Sequence, residues 1–204
     1  MPSKIIQNKE LKKEKLLEAA FYLFTRKNIH DVSIAEIAKE AGIAKGTFYL
    51  YFKDKYDLRD FMINTRSAKI LQNAIEALDR SQIHSFEDSV IYIISDIERQ
   101  LEKDPLTLTF IKYNLPQAAF ANHLASSFAH DSYNVTSLFR ERALENGYHF
   151  ENPEAILFMV LELTSSVFYQ TMIHHIPCPF DEIRPFFYDS IRAILSLGKQ
   201  PSVN

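Results

Sequence analysis

A short stretch of the chain, residues 45–55, concentrates side chains that can bind phosphate groups and the edges of nucleic-acid bases. The residues concerned are Lys45, Thr47, Tyr49, Tyr51, Lys53 and Lys55, and Gly46 lies among them. The lysine ammonium groups and the tyrosine hydroxyls can each bind a phosphate. The methyl group of Thr47 suits a thymine methyl, and its hydroxyl suits a base edge or a phosphate. Gly46 has no side chain and leaves room for a close approach of DNA.

Two short helices joined by a tight turn are predicted to position these residues. Ser33 and Glu36 have the spacing of a capping box, which starts the first helix. Gly42 can adopt the left-handed conformation that stops that helix, and a second helix is predicted from about residue 45 to 51. Backbone N–H groups at helix starts, here after Ser33 and Asp54, can also bind phosphates.

Longer helices are predicted on both sides of this pair, over about residues 8–27 and 54–80. Two short helices, braced in this way, have helix-turn-helix geometry, in which the second helix lies in the major groove of DNA. Three helices of an ordinary bundle produce the same pattern, so the pattern alone leaves both interpretations open.

The charge is distributed unevenly along the chain, which has a formal net charge of -3. Residues 1–60 hold 12 Lys and Arg against 9 Asp and Glu, whereas residues 61–204 hold 11 against 17. A basic head on an acidic body indicates that only the head meets an anionic partner, with chance fluctuation as the alternative.

The residue identities of this region carry a resemblance to a known family. Residues 32–58 read VSIAEIAKEAGIAKGTFYLYFKDKYDL. The I-A-x-x-A-G turn, the K-G-T-F-Y recognition helix and the Y-F-K-x-K-x-x-L entry into the next helix resemble the DNA-binding segment of the TetR family of repressors. Ala44 departs from the family pattern, because many members have Ser or Thr there to cap the recognition helix.

The resemblance implies an all-α fold of about nine helices, a homodimer and a double-stranded DNA operator. It implies a helix-turn-helix domain over residues 1–53 and a ligand-binding and dimerisation domain over residues 54–204. It also makes Lys45, Thr47 and Tyr51 the best candidates for base contacts. Ser33 is a further DNA-binding candidate, with a role as a helix cap alone as the alternative.

The body is predicted to contain five or so further helices, and its roles follow from the resemblance. In relatives, it binds a small molecule in a helical cavity and forms the dimer through the last two long helices, here about residues 153–175 and 181–197. Aromatic candidates for a ligand pocket are Tyr92, Phe110, Tyr113, Phe128, Phe168 and Tyr169. Candidates for the dimer interface are Val160, Val167, Phe187, Ile191 and Ile194. Burial within one subunit is the alternative for both sets.

Other site chemistries are not expected. The chain lacks phosphate-cradling glycine loops and the G-x-S-x-G and H-E-x-x-H motifs, so no enzyme activity or cofactor is predicted. Adjacent histidines at 174 and 175 point apart on a helix, and a lone Cys178 is too few for a structural zinc site, so no metal is predicted. The single cysteine suits a reducing cytoplasm. No apolar run of spanning length is expected, since Glu162 interrupts the best candidate.

The sequence thus predicts a bacterial, ligand-responsive repressor. Two other interpretations remain: a DNA-bound scaffold that acts through a protein partner without an inducer, and a helical enzyme that carries a helix-turn-helix head. A filled body would favour the scaffold, and a metal, a cofactor or a cluster of shifted pKa values in the body would favour the enzyme.

Overall fold

The computed structural model describes residues 4–111 and 135–199, and these ranges contain α-helices and no β-strand. The α-helices are α1 (Lys4–Phe24), α2 (Ile34–Glu40), α3 (Lys45–Phe48), α4 (Lys55–Asp79), α5 (Phe86–Lys103), α6 (Pro105–Ile111), α7 (Val135–Glu145), α8 (Pro153–Phe168) and α9 (Phe180–Ser196). The predicted all-α fold is therefore confirmed. The chain forms two compact units, residues 1–63 and 64–204, and α4 contributes residues to both.

The first unit is built around the apolar stripe of α1. Leu16 and Ala20 are fully buried, as are Ile37 of α2 and Phe48 of α3. Helix α1 packs on α2, and α2 packs on α3. The ring of Phe52 extends this core, with its centroid 6.0 Å from that of Phe48. Three helices thus share one small core that holds α3 at the surface.

The second unit has its core where α5, α8 and α9 meet. Ile97, Phe168 and Ile191 are fully buried there. A polar cluster ties α5 to α9, because Arg184 donates to Glu98 at 2.9 and 2.7 Å and the Tyr188 hydroxyl donates to Glu98 at 2.6 Å. Burial and the Glu98 hydrogen bond raise the pKa of Tyr188.

The predicted long helix over residues 153–175 changes its winding before its end. It is α-helical through Phe168 and continues as a π-helical turn over Tyr169–Ile173. By length and composition, Pro153–Ile173 could cross a membrane, contrary to the expectation that no such segment exists. However, 44% of its apolar window is buried inside the protein, and the core helix of a soluble protein passes the same test.

The end of α9 is attached to the segment that follows α7. The backbone N–H of His149 donates to the carbonyl of Gly198 at 2.7 Å, and Tyr148 and Lys199 form an isolated antiparallel bridge. The ring of Phe150 lies so close to Gly198 that a Cβ at this position would clash with it. The absence of a side chain at Gly198 is therefore what allows this contact.

Candidate nucleic-acid interface

Helix α2 begins with the predicted capping box. The Glu36 N–H donates to the Ser33 hydroxyl at 3.1 Å, while the Glu36 carboxylate accepts from the Ser33 N–H at 2.8 Å and from its hydroxyl at 2.9 Å. These hydrogen bonds, led by the one from the Ser33 backbone, lower the pKa of Glu36 to about 2. Ser33 therefore acts as a cap in the free protein, and its hydroxyl is already engaged with Glu36.

The turn between α2 and α3 depends on Gly42. Its φ of +66° lies in the left-handed region, which a glycine adopts without steric cost. The N–H of Gly42 donates to Lys39 at 3.1 Å and that of Ile43 donates to Ala38 at 2.9 Å, which is the hydrogen-bond pattern of a Schellman motif. The motif reverses the chain abruptly and sets the direction in which α3 leaves the turn.

Helix α3 presents polar residues to solvent and a phenylalanine to the core. Lys45 and Gly46 are exposed, Thr47 is half-buried, and Phe48 is fully buried. No protein atom lies within 4 Å of a Cβ built on Gly46, so the space beside it is open. This combination gives α3 a solvent-facing surface that can approach a flat or grooved partner closely.

The α-helical part of α3 is shorter than predicted and ends at Phe48. The N–H groups of Leu50 and Tyr51 donate to carbonyls three residues earlier, at 3.2 and 3.0 Å, so a tighter turn carries the chain to Phe52. In this turn Tyr49 is exposed and Tyr51 is half-buried. Leu50 is 74% exposed and was not predicted as a site residue, because an isolated apolar residue usually indicates core.

The first turn of α4 is capped within the protein. Asp54 accepts hydrogen bonds from the N–H groups of Tyr56 at 2.8 Å and Asp57 at 2.9 Å, and the Asp57 hydrogen bond is the largest cause of its lowered pKa. The carboxylate of Asp57 in turn accepts from the Lys53 N–H at 2.8 Å. The N–H groups predicted to be available for phosphate after Asp54 therefore have partners in the free protein.

The lysines of this region fall into two groups. Lys45 and Lys53 are exposed to solvent. The ammonium group of Lys55 instead donates to two backbone carbonyls, and that of Lys13 lies 3.9 Å from the centroid of the Phe61 ring. Burial lowers the pKa of Lys13. Lys45 and Lys53 are consequently the predicted cations best placed to meet a phosphate.

Ala44 precedes α3 as its N-cap and makes no side-chain hydrogen bond there. Many members of the family have a Ser or Thr cap at this position, so the lack of a side-chain hydrogen bond is the expected result of the alanine. A hydroxyl group that would satisfy one amide at the start of α3 is missing.

In the second unit, the described ligand candidates lie in different environments. Phe168 is fully buried in the core, Tyr92 and Phe110 are half-buried, and Tyr169 stacks edge-on against His174. Tyr113 and Phe128 lie outside the described residues. An apolar cavity of about 50 Å³ lies elsewhere, between α4, α5, α7 and α8, and none of these candidates lines it.

The residues predicted for the dimer interface mostly face inward. Val160, Phe187 and Ile191 are buried in the core of the unit, and Val167 and Ile194 are half-buried against it. A helix that packs on its own subunit buries its most apolar stripe first, which is why the sequence pattern selected these residues. Within the described ranges, no group of three or more His, Cys, Asp and Glu side chains could hold a metal ion.

Comparison with known proteins gives sequence matches that span less than half of this chain. Residues 16–60 match the family of "Bacterial regulatory proteins, tetR family". The uncharacterized HTH-type transcriptional regulator YvdT of Bacillus subtilis is 34% identical over 87 residues, which are 42% of this chain and 42% of that protein. The HTH-type transcriptional regulator AcrR of Shigella flexneri is 38% identical over 58 residues, which are 28% of this chain and 27% of that protein.

Solved structures extend the likeness of fold beyond the first unit. The crystal structure of a TetR-family transcriptional regulator from Haemophilus influenzae aligns with a TM-score of 0.61 at 23% sequence identity. The alignment covers 92% of this chain and 98% of that one. The likeness to solved structures concerns the fold alone, and the two sequence relatives are named as HTH-type transcriptional regulators.

Proposed function

Because residues 16–60 match the family of bacterial regulatory proteins of the tetR type, we propose that the chain is a DNA-binding transcriptional regulator of this family and a cytoplasmic repressor. In this proposal it binds a palindromic operator as a homodimer and is released by a small-molecule ligand. Residues 1–53 form the DNA-binding domain, and residues 54–204 form the ligand-binding and dimerisation domain. The observation that carries the proposal is the capped helix, the Gly42 turn and the exposed polar face of α3.

The exposed face of α3 supports insertion into the major groove. Lys45 and Thr47 on this helix, with Tyr51 after it, are proposed to read base edges, and Gly46 allows the helix to come close. Tyr49 and Lys53 are proposed to bind phosphates, which fixes the register without specifying sequence. Ser33 and Lys55 are proposed to contact phosphates only if DNA binding breaks the hydrogen bonds that their side chains make in the free protein.

Homodimer formation is supported by apolar side chains on the outer faces of α8 and α9. Phe158, Met159, Phe186 and Leu197 are large and exposed, and Phe186 is 72% exposed. A second subunit would remove these side chains from water, which is favourable for apolar surface. We therefore propose that these outward residues, with Val167 and Ile194 at the edge, meet their copies in a second subunit. The two heads would then reach half-sites about one helical turn of DNA, or a multiple of it, apart.

Release by a ligand is supported by the apolar cavity in the second unit, since α4 contributes to its wall and also begins in the first unit. A ligand that prefers one position of α4 would change the spacing of the heads. It acts only if its affinity for the two arrangements differs. A scaffold that works through a protein partner remains the second candidate, and the narrowness of the cavity is the observation that favours it.

The decisive experiment is a fluorescence-anisotropy titration of the full chain with DNA from upstream of its own gene, compared with scrambled DNA at two salt concentrations. We expect sequence-selective binding of two subunits, or a multiple of two, which weakens steeply with salt. A Lys45→Met variant should lose affinity for the upstream DNA. Equal, weak binding to both DNAs, followed by failure to select any sequence from random DNA, would refute the proposal.

A further inference from the structure

The cavity of the second unit has a wall of hydrocarbon surface. Its apolar side chains include Leu71 and Ile75 of α4, Ile93 of α5 and Val160 of α8. Against these side chains, the hydroxyl or amide groups of a ligand would find no hydrogen-bond partner, and burying such groups without partners is unfavourable. The part of a ligand that enters the cavity is therefore a hydrocarbon.

The cavity is also narrow. Its volume is about 50 Å³, whereas pockets for drug-sized ligands measure about 300–1,000 Å³. A flexible chain can enter by small rotations of the Leu, Ile and Val side chains that line it. A fused ring system requires the helices to separate, because a close-packed interior does not yield continuously. The shape therefore favours a single chain over a bulky ring.

The two polar residues of the lining stand together. Arg142 of α7 donates from Nη1 to the hydroxyl of Ser89 on α5 at 3.1 Å. Its Nη2 lies 3.7 Å from Asp79 at the end of α4, and its side chain is one quarter exposed. Arg142 thus borders both the cavity and solvent, which places a cation where the polar end of a ligand would emerge.

Asp79 is a partner that a ligand can replace. The 3.7 Å separation is near the limit for an ion pair, and the Asp79 side chain is 43% exposed, so water competes for it. A guanidinium carries five N–H donors in a planar fork that matches a carboxylate bidentately. A carboxylate delivered by a bound hydrocarbon chain would make the better-placed pair with Arg142.

Building on the proposed function, we propose that the effector is an amphiphile with one hydrocarbon chain and an anionic head group. The chain occupies the cavity, and the head group pairs with Arg142 in place of Asp79. The exchange releases the last residue of α4 from α7, while the chain presses on Leu71 and Ile75 of the same helix. Occupation of the site is thereby coupled to α4.

The test uses isothermal titration calorimetry of the full chain with decanoate and, as an uncharged probe of the same length, decanol. We expect decanoate to bind, and we expect Arg142→Met to weaken the affinity for decanoate about tenfold or more while the affinity for decanol stays unchanged. Arg142→Lys should restore part of the affinity for decanoate. The matched control is Arg140→Met, which removes another exposed arginine of α7, one that pairs with Glu154 of α8. This variant should change neither titration.

A second variant keeps the test independent of the charge. Val90 of α5 also lines the cavity, and Val90→Phe fills it. The variant should abolish binding of both probes, with far-ultraviolet circular dichroism confirming that it is folded. Decanoate binding that survives Val90→Phe or is unaffected by Arg142→Met overturns the inference, as does failure of both probes to bind. Operator affinity of the unsubstituted chain, measured without either probe, tests the proposed function separately, because it does not depend on which effector the cavity binds.

Discussion

The ammonium group of Lys55 donates a hydrogen bond to the backbone carbonyl of Val32, with 2.9 Å between the two atoms. A second hydrogen bond of the same length runs to the carbonyl of His30. The side chain thus joins the first turn of α4 to the segment that leads into α2. A lysine predicted from sequence to bind phosphate has, in the free protein, the role of holding the helix-turn-helix together.

The two lysines at positions 53 and 55 should therefore respond differently to the loss of charge. Lys55→Met is expected to lower the free energy of unfolding by about 1–2 kcal/mol, since hydrogen bonds to charged groups contribute at most about 3 kcal/mol and this one is partly exposed. Urea unfolding, monitored by circular dichroism, measures this change in the free energy of unfolding.

Lys53→Met is the matched control, because the Lys53 side chain is exposed and its ammonium group donates to no backbone carbonyl in the part of the chain that the structure describes. It should leave stability unchanged, weaken DNA binding, and reduce the slope of log affinity against log salt by about one per subunit. Equal losses of stability in the two variants would contradict the distinction.

Gly46 and Gly42 should give opposite results when a methyl group is added. The space around Gly46 is open, so Gly46→Ala should keep or raise stability, by up to about 1 kcal/mol, because alanine favours helix. The same methyl group should weaken operator binding in the anisotropy assay if α3 approaches DNA closely. Gly42→Ala should cost about 1–2 kcal/mol of stability, because φ at this position is +66°. Unchanged DNA affinity in folded Gly46→Ala would place α3 away from the groove.

The capping box should make the first unit sensitive to acid. The folded pKa of Glu36, about 2, lies below its ordinary value of 4.5, so the unfolded chain binds a proton more readily. The stabilisation is present above pH 4.5 and is lost as the pH falls toward 2. Glu36→Gln retains the hydrogen-bonding geometry without a titrating group, so stability should fall less over this interval. Urea midpoints of the wild-type protein and the variant, measured over this pH interval, check the prediction. Identical pH profiles of the two proteins would exclude Glu36 as the cause of the acid sensitivity.

Adjacent phenylalanines on α9 should separate dimer formation from folding. Phe186 is exposed and Phe187 is buried in the core. Phe186→Lys is expected to shift the protein toward monomer in analytical ultracentrifugation without changing its unfolding at matched protein concentration in the monomeric range. Phe187→Ala should destabilise each subunit by about 3–5 kcal/mol. A Phe186→Lys protein that sediments as wild type would remove the outer face of α9 from the proposed interface.

The first unit could be predicted from sequence almost residue by residue, because its signals are local. The Ser33–Glu36 spacing and Gly42 each act over one helical turn, and the structure contains both the capping box and the left-handed glycine. The hydrogen bonds of Lys55 join residues more than twenty positions apart, and no local pattern indicates them. The hydrogen bonds that Asp54 and Asp57 accept at the start of α4 are local by comparison, because they span two to four residues.

In the second unit, apolar periodicity located the helices but not the roles of their faces. Val160, Phe187 and Ile191 satisfied the pattern of an interface because a core stripe has the same spacing. The lining of the cavity draws on four helices separated along the chain, so aromatic content alone could not find it. Ser89 and Arg142 became neighbours only through the packing of α5 against α7.

The contact between Phe150 and Gly198 has a consequence for how this sequence can drift during evolution. The aromatic ring occupies the space that any side chain at position 198 would need. A larger residue at 198 is therefore admissible only after the ring at 150 has been lost or reduced. Loss of the ring at 150 requires no earlier change at position 198. Among homologues that keep this junction, the two positions should vary as a pair, with small residues at 198 wherever an aromatic residue stands at 150.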